Sequence, residues 1–557
     1  MTSLDGDQTQ VTALAPLSVP EYRRLWLASV VSSLGTFMQL TVAPWLMQVM
    51  TGSPLMVSLV TTALFLPRLL LTLPAGALAD VLDRRTLILM GQGLSAAAVG
   101  TMAVLQQLGM LAPSLLLGLT FLLGVGNVVH LPAMQTLIPD LVPRPMFAQA
   151  ITLQSAAGNV ARAVGPSIGG AIAALGLAQL AFGANAVSFL AVIGVVLTFP
   201  RSRIEDPGRR RLWRSTIVGW RYARFTPQIS ALLGVAGAFF LTTASVQALL
   251  PSVVSDELEL GAAGFGLLYG VFGSGALVAA LTRQRVSRRS PRLMLPGSII
   301  GFGSSGVLLG LAPWPIVAAG ALFGAGACWV WTITTLNASL QTMAPAWVRG
   351  RVISLFLLMW GLQPIGAVLA GTVAELIGAG ASTAGFTGLT LLMGLVLLRR
   401  DLPILSDLVE AAPVADAWET GRHPVEVGGA PILVMTTWRL DPAQIEEFMT
   451  VLRELRRQRL RTGATRWSVF RDAGKPGVIT EAYTVPDWEE HLAQHARIDE
   501  EARAVIARAR SFDQEESPRS RHFAGLDISS RTAPPLEDQL VTIHEEYHRS
   551  DGSLPLD

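Results

Sequence analysis

Residues 76–87 read Gly-Ala-Leu-Ala-Asp-Val-Leu-Asp-Arg-Arg-Thr-Leu, a short charged knot between two long apolar runs. Charge is scarce elsewhere in the first 400 residues, so Asp80, Asp83, Arg84 and Arg85 belong at a membrane surface. The whole chain agrees with that placement. Of its 557 residues 51% are hydrophobic and only 15% are charged, whereas soluble proteins carry about 25%. A deficit of this size points to a polytopic membrane protein and excludes an ordinary soluble enzyme. The net charge of +2 conceals an asymmetry, because most charge lies at 200–228 and after Arg399. The single cysteine, Cys328, excludes an intrachain disulfide and a cysteine-based metal cluster. Residues 1–20 are polar and the first apolar run is too long for a signal sequence, so no cleaved leader is expected.

A membrane span needs about 20 mostly apolar residues. Runs of that kind predict twelve spans, at 24–49, 55–79, 86–108, 112–137, 146–174, 178–199, 229–254, 262–282, 293–312, 315–340, 351–376 and 380–398. Alternate loops collect arginine: Arg23 and Arg24, Arg84 and Arg85, Arg144, then 201–224, 283–292, Arg349 with Arg351, and Arg399 with Arg400. The intervening loops, near 50–54, 109–113, 175–177, 255–261, 311–315 and 377–380, hold neither Arg nor Lys. Cytoplasmic loops are the ones that retain positive charge, so both termini are expected in the cytoplasm.

The loop at 201–228 divides the spans six and six, and Pro143 to Gly170 opens the fifth span much as Pro345 to Gly371 opens the eleventh. The Gly-x-x-x-Asp turn with its trailing basic residues resembles the loop between helices two and three of major facilitator transporters. The form Leu-Pro-Ala-Gly-Ala-Leu-Ala-Asp at 73–80, followed by Asp83, Arg84 and Arg85, is similar to the enterobactin-exporter and transmembrane secretion effector branch. The departures from the general motif are Val81 and Asp83. The resemblance implies an all-α membrane fold of twelve helices in two six-helix halves, with a central site between the halves. It implies a gating set: Gly76 at a close helix approach, Asp80 against the helix-eleven start that bears Arg349 and Arg351, and Arg84 and Arg85 reaching Asp140.

Span five carries Asn159, Arg162, Gly165, Pro166, Gly169 and Gly170. Pro166 removes a helix hydrogen bond and the glycines admit a neighbouring helix, which makes a bendable contact. The Gly-Pro-x-x-Gly-Gly pattern resembles the end of the antiporter motif of drug exporters, although Thr152 and Ala161 stand where that motif has glycine. An ordinary packing face reads the same residues equally well. Arg68 and Arg162 are the basic residues near mid-membrane, where an ionisable group is a functional candidate by default. Arg162 is expected to hold an anionic substrate or to organise a polar network with Asn159 and Gln154, with Gln363 opposite it; Arg68 has no partner readable from sequence. Candidates for cavity or proton coupling are Gln39, His130 and Glu375. Trp45, Gln48, Asn127, Trp329, Trp331 and Asn337 are further expected wall residues.

After a Pro- and acid-containing linker at 401–430 the pattern turns to period two. Strands are expected at 432–440, 465–471, 478–485 and 519–524, with helices at 442–461 and 488–510, the βαββαβ order of a ferredoxin-like α+β domain over 431–527. The stretch from Trp488 to Arg497 resembles the C-terminal domain of the same secretion-effector branch, a dimeric α/β-barrel domain of the antibiotic biosynthesis monooxygenase type. His491 and His495 stand one helical turn apart, a spacing that can bind metal; no third ligand is apparent, and surface polarity accounts for the pair. The expected organisation is an N-terminal segment 1–20, bundles 21–200 and 229–400 joined by 201–228, the linker, the α+β domain and a disordered tail 528–557.

The reading is a proton-coupled exporter of a small amphipathic metabolite, siderophore- or macrolide-like, in the bacterial cytoplasmic membrane. Its partners are the cargo, protons and the bilayer, with a homodimer available through the C-terminal domain. No cofactor, metal or nucleic acid is expected, and no enzymatic activity. The rivals are a membrane-tethered oxygenase and a non-transporting sensor.

Overall fold

The computed structural model describes residues 12, 14–79, 82–199, 219–289, 291–399, 430–514 and 519–525. Expectations for Asp80, the loop at 201–218, the linker at 401–429 and the tail from 528 lie outside them. The chain separates into two compact units, one of residues 1–209, 233–339 and 356–406, the other of 210–232, 340–355 and 407–557.

The first unit is a helical bundle. Its helices are α1 Pro20–Thr51, α2 Pro54–Ala79, α3 Arg84–Gln107, α4 Pro113–Leu141, α5 Phe147–Ala174 and α6 Ala178–Leu197. Then follow α7 Pro227–Ser252, α8 Ala262–Arg289, α9 Pro291–Gly310, α10 Pro315–Met343, α11 Ala346–Trp360, α12 Gln363–Ile377 and α13 Ala379–Leu398, of which residues 227–232 and 340–355 belong to the second unit. Local chemistry sets their ends. Pro20 and Pro113 occupy first-turn positions, where a missing N–H costs nothing. Asp83 caps α3, its carboxylate accepting the Thr86 N–H at 3.3 Å. Gly52 closes α1 in the left-handed conformation at φ 61°, a region glycine enters without strain.

Among the described residues eleven segments are long and apolar enough to cross a membrane, α11 and α12 counting together as Ala346–Ile377. The expected fifth span is the 28-residue helix α5, which is not among those eleven; Asn159, Arg162 and its Ser, Thr and Gln residues dilute its apolar character. The bundle exposes large apolar side chains such as Leu281, Ile316 and Leu376, a surface suited to lipid. The expected eleventh span is broken: the chain turns through Gly361 and Leu362 by hydrogen bonds to the carbonyls of Leu358 and Met359, so that α12 restarts at Gln363. Asp140, expected in a loop, instead lies in the last turn of α4.

The second unit combines the residues at 219–232 and 340–355 with strands β1 Ile432–Arg439, β2 Arg466–Arg471, β3 Val478–Val485 and β4 Arg519–Ala524, and helices α14 Ile445–Thr462, α15 Trp488–Ala496 and α16 Glu500–Arg510. The antiparallel sheet runs β2-β3-β1-β4. Alternation in β1 buries Ile432, Val434, Thr436 and Trp438 on one face, and Trp438 packs with Phe448, Leu452 and Leu455 of α14. The single helix expected at 488–510 is two, because Asp499 caps α16 by accepting the Ala502 N–H at 2.9 Å.

Candidate functional site

Within the first unit α5 runs along α8, and α2 along α12. These helix pairs bring the segments before and after 201–218 together. Gly165 and Gly169 face α1: a Cβ on Gly165 would meet Phe37, and one on Gly169 would lie 2.7 Å from the Met38 carbonyl oxygen. Gly170 faces α8 instead, where a Cβ would lie 2.5 Å from Cα of Gly266. Pro166 cannot donate to the Arg162 carbonyl one turn back, and that oxygen is closely approached by Gly273 of α8. The helix-five motif thus makes contact on two sides, with α1 through Gly165 and Gly169 and with α8 through Gly170 and the carbonyls of Pro166 and Arg162.

A cavity of about 340 Å³ lies among these helices. Arg68 and Arg162 reach its wall from α2 and α5, with Gln39, Asn127 and His130 also contributing. From the later helices come Gln247, Tyr269, Phe272, Trp329, Trp360 and Gln363. Arg162 and Gln363, far apart in sequence, do line the same space. The Arg68 guanidinium lies 5.5 Å from the Phe65 ring centroid and 5.7 Å from that of Trp360. The Arg162 guanidinium lies 5.5 Å from the Phe37 ring. Trp360, at the break in the span, stacks on Phe240 at 5.3 Å and donates its indole N–H to Gln363 Oε1 at 2.8 Å. Gln39 is buried, its Oε1 accepting from Asn185 Nδ2. His130 Nδ1 sits 3.0 Å from the Gly126 carbonyl. No Asp, Glu or Lys is among the lining residues.

Other expected residues fall elsewhere. Asn159 is not part of the lining. Trp331 donates its N–H to the Ala279 carbonyl at 3.1 Å, on the helix-packing side. Trp45 stacks on Phe265 at 5.7 Å. Gln48 joins the end of α1 to the chain beyond α7: its Nε2 donates to Asp256 at 3.0 Å and its Oε1 accepts from Ser252 at 2.7 Å. Asp256 sits in a π-helical turn, Val253–Glu257. Glu375 is exposed at the far end of α12, where its carboxylate accepts from Ser53 Oγ and from the Leu55 N–H at the start of α2. It is therefore a helix-start cap at the end of the bundle opposite the arginine-bearing loops, outside the cavity.

Of the gating set, Asp80, the packing around Gly76 and the side chain of Asp140 lie outside what the structure describes. Gly76 lies in the last turns of α2. Asp83 serves α3 as its cap, and Arg84 begins that helix. Arg85 Nη1 and Nη2 donate at 2.9 Å each to the carbonyls of Phe199 and Leu197, at and just beyond the end of α6. Arg349 Nε donates to the Ala344 carbonyl at 3.1 Å.

Arg351 belongs with the second unit, where its side chain lies against Gly219. There Trp347 is held between two partners: Tyr222 meets it edge-on at 5.4 Å and the Arg497 guanidinium covers it at 4.3 Å. Arg497 is in turn paired with Glu490. Arg221 donates to the Ala464 carbonyl at 3.3 Å, and Phe225 packs against the cluster of Leu460, Ala464 and Tyr483. His491 and His495 are joined by His522 of β4, its ring 4.6 Å from His491. The two helix-borne rings touch through their Nε2 atoms at 3.2 Å. Burial, reinforced by the neighbouring histidines and Arg459, pushes His491 down to about 2, and burial with Arg459 pushes His495 down to about 4. The trio is neutral at pH 7, and no metal-binding group of three is found among the described residues.

Comparison with known proteins places this geometry. The transmembrane secretion effector family, a branch of the major facilitator transporters, matches residues 11–530, and the chain belongs to it. The enterobactin exporter EntS of Shigella boydii serotype 18 is 29% identical over 402 residues, 68% of this chain and 93% of that protein. EntS of Escherichia coli O139:H28 is 28% identical over the same extent. In structure the chain is similar to the nucleoside transporter NupG, with 11% identity, 68% of this chain and 98% of that one covered, and a TM-score of 0.56. It is also similar to an inward-facing bacterial homolog of the human lysosomal transporter Spinster, with 14% identity, 68% and 94% coverage and a TM-score of 0.53. The chain is a multi-pass inner-membrane secondary transporter of that family.

Proposed function

We propose that this exporter moves a small amphipathic metabolite, siderophore- or macrolide-like, from the cytoplasm by alternating access coupled to protons. The observation that carries the reading is the cavity at the meeting of α1, α2, α4 and α5 with α8, α10 and the α11–α12 break, where cations, amides and aromatic rings converge. Such a mixed lining suits cargo with an apolar body and a few polar groups. In this reading twelve spans, with α5 as the fifth, form two six-helix halves that rock about the α5–α8 and α2–α12 contacts. Both termini are cytoplasmic. The Gln48–Asp256 and Glu375–Ser53 contacts then close the outer end, and Asp80 acts at the cytoplasmic end. Proton coupling draws on the family resemblance, with His130 of the cavity wall as its candidate carrier.

The C-terminal α+β elements are read as a regulatory module of the ferredoxin-like type, able to pair with a second copy. Support comes from Trp347 and Arg351 on α11, which take their partners from residues 219–222 and 490–497. Inside-out membrane vesicles test the transport reading. Catecholate siderophores and macrolides are expected to accumulate when respiration acidifies the lumen, and to be released by a protonophore. Vesicles that accumulate nothing beyond those lacking the protein would contradict it.

A further inference from the structure

We propose that the cavity selects an organic anion with a planar aromatic body, its negative group held jointly by Arg68 and Arg162. The inference rests on the exporter reading and narrows its cargo. A guanidinium stays charged at every relevant pH and presents five N–H donors. Two of them inside membrane-spanning helices are costly unless something compensates them. Among the described residues neither guanidinium makes a hydrogen bond or an ion pair. Arg68 has the ring faces of Phe65 and Trp360, and Arg162 has the Phe37 ring face with the Tyr269 phenol near enough to act on its charge. A ring face offsets part of a cation's charge, but it accepts no N–H in the plane of the guanidinium.

The cavity supplies no carboxylate to complete them. A cationic cargo would add charge of the same sign, and a neutral cargo would leave the donors without an anionic acceptor. An anion satisfies both at once, in the fork geometry that makes arginine the usual partner of carboxylates.

Aromatic rings share the space. Tyr269, Phe272, Trp329 and Trp360 face the space from the later helices, whereas both arginines belong to the earlier ones. Charge is thus read by the arginines and a flat apolar body by the rings. A volume of about 340 Å³ accommodates a fused-ring anion. Arg68 is shared: an anion that draws its guanidinium away loosens the contact with Trp360, so cargo binding alters a contact between α2 and the span break.

The test compares 2-naphthoate with its neutral isostere 2-naphthamide. Their binding to the purified full chain in a non-ionic detergent is followed by equilibrium dialysis. Naphthoate is expected to bind at least tenfold more tightly, and the R68Q/R162Q variant, checked for folding by circular dichroism and gel filtration, is expected to lose that preference. Equal or weaker binding of naphthoate by the unaltered chain overturns the inference, as does a preference undiminished in a folded double variant. The unaltered chain decides the matter if the variant does not fold. Proteoliposome counterflow of the two probes separates the two readings: naphthoate preference without movement of either probe removes transport and leaves charge selection standing.

Discussion

Gly170 on α5 and Gly266 on α8 meet backbone to backbone: a Cβ added to Gly170 would lie 2.5 Å from Cα of Gly266, and one added to Gly266 would lie 2.6 Å from Cα of Gly170. Real side chains do not tolerate such a distance, so the helices must separate if either glycine is replaced. Gly170→Leu is therefore expected to lower efflux at least about tenfold by altering helix approach. Gly183 has no atom within 4 Å of a built Cβ, and Gly183→Ala is expected to leave efflux within about twofold. Efflux rates normalised to membrane abundance check the pair.

Glu481 is fully buried in β3 and is held by Arg459 at 3.2 Å and by the Trp467 indole N–H at 2.9 Å. Removing the carboxylate strands the Arg459 cation in the sheet interior. Glu481→Ala is expected to cost about 3–5 kcal/mol of local stability. Hydrogen exchange of β1 and β3 in the full chain, read before and after the substitution, gives the value.

The histidine trio predicts an acid limit for the second unit. Its folded pKa values lie below the ordinary 6.5, at about 2 for His491 and about 4 for His495, because burial disfavours the imidazolium. The unfolded chain therefore binds these protons first. The stability they contribute is complete above pH 6.5 and is lost as pH falls below it, toward the folded values, by about 1–2 kcal/mol for each of His491 and His495 near pH 5. Hydrogen exchange of α15 and β4, corrected for the intrinsic pH dependence, is expected to accelerate between pH 6.5 and 5. His491→Phe is expected to flatten that response.

Trp347→Ala removes the ring that Tyr222 and Arg497 share. A loss of about 1–3 kcal/mol is expected from the edge-on and cation–π contacts. Because the partners lie in one compact unit, exchange should rise together in 219–225, in the first turns of α11 and in α15. A rise confined to α11 would show that the three segments are not coupled.

The sequence is legible where chemistry is local and silent where it is long-range. Asp441 announces a helix start, its carboxylate accepting the Ala443 N–H at 3.0 Å, and the glycines around Pro166 announce a packing face that the structure divides between α1 and α8. Asp499 followed by Glu500 and Glu501 carries the same capping signal, so the break in the 488–510 helix was readable. The break at Gly361 and Leu362 was not, because the apolar run continues through it. Nor could sequence pair Arg68 with Trp360, or Trp347 with Arg497, since only folding brings such distant positions together. Glu375 resembled a cavity carboxylate because hydrophobicity gives depth poorly near a span end; its hydrogen bonds to Ser53 and Leu55 place it at a helix start.

The most direct test of the account is efflux from cells loaded with a panel of catecholate siderophores and macrolides, comparing the unaltered chain with Arg162→Ala at matched membrane abundance. The account predicts protonophore-sensitive efflux of at least one cargo above vector cells, abolished by the substitution. Arg162→Ala cells that export as fast as the unaltered chain would contradict it.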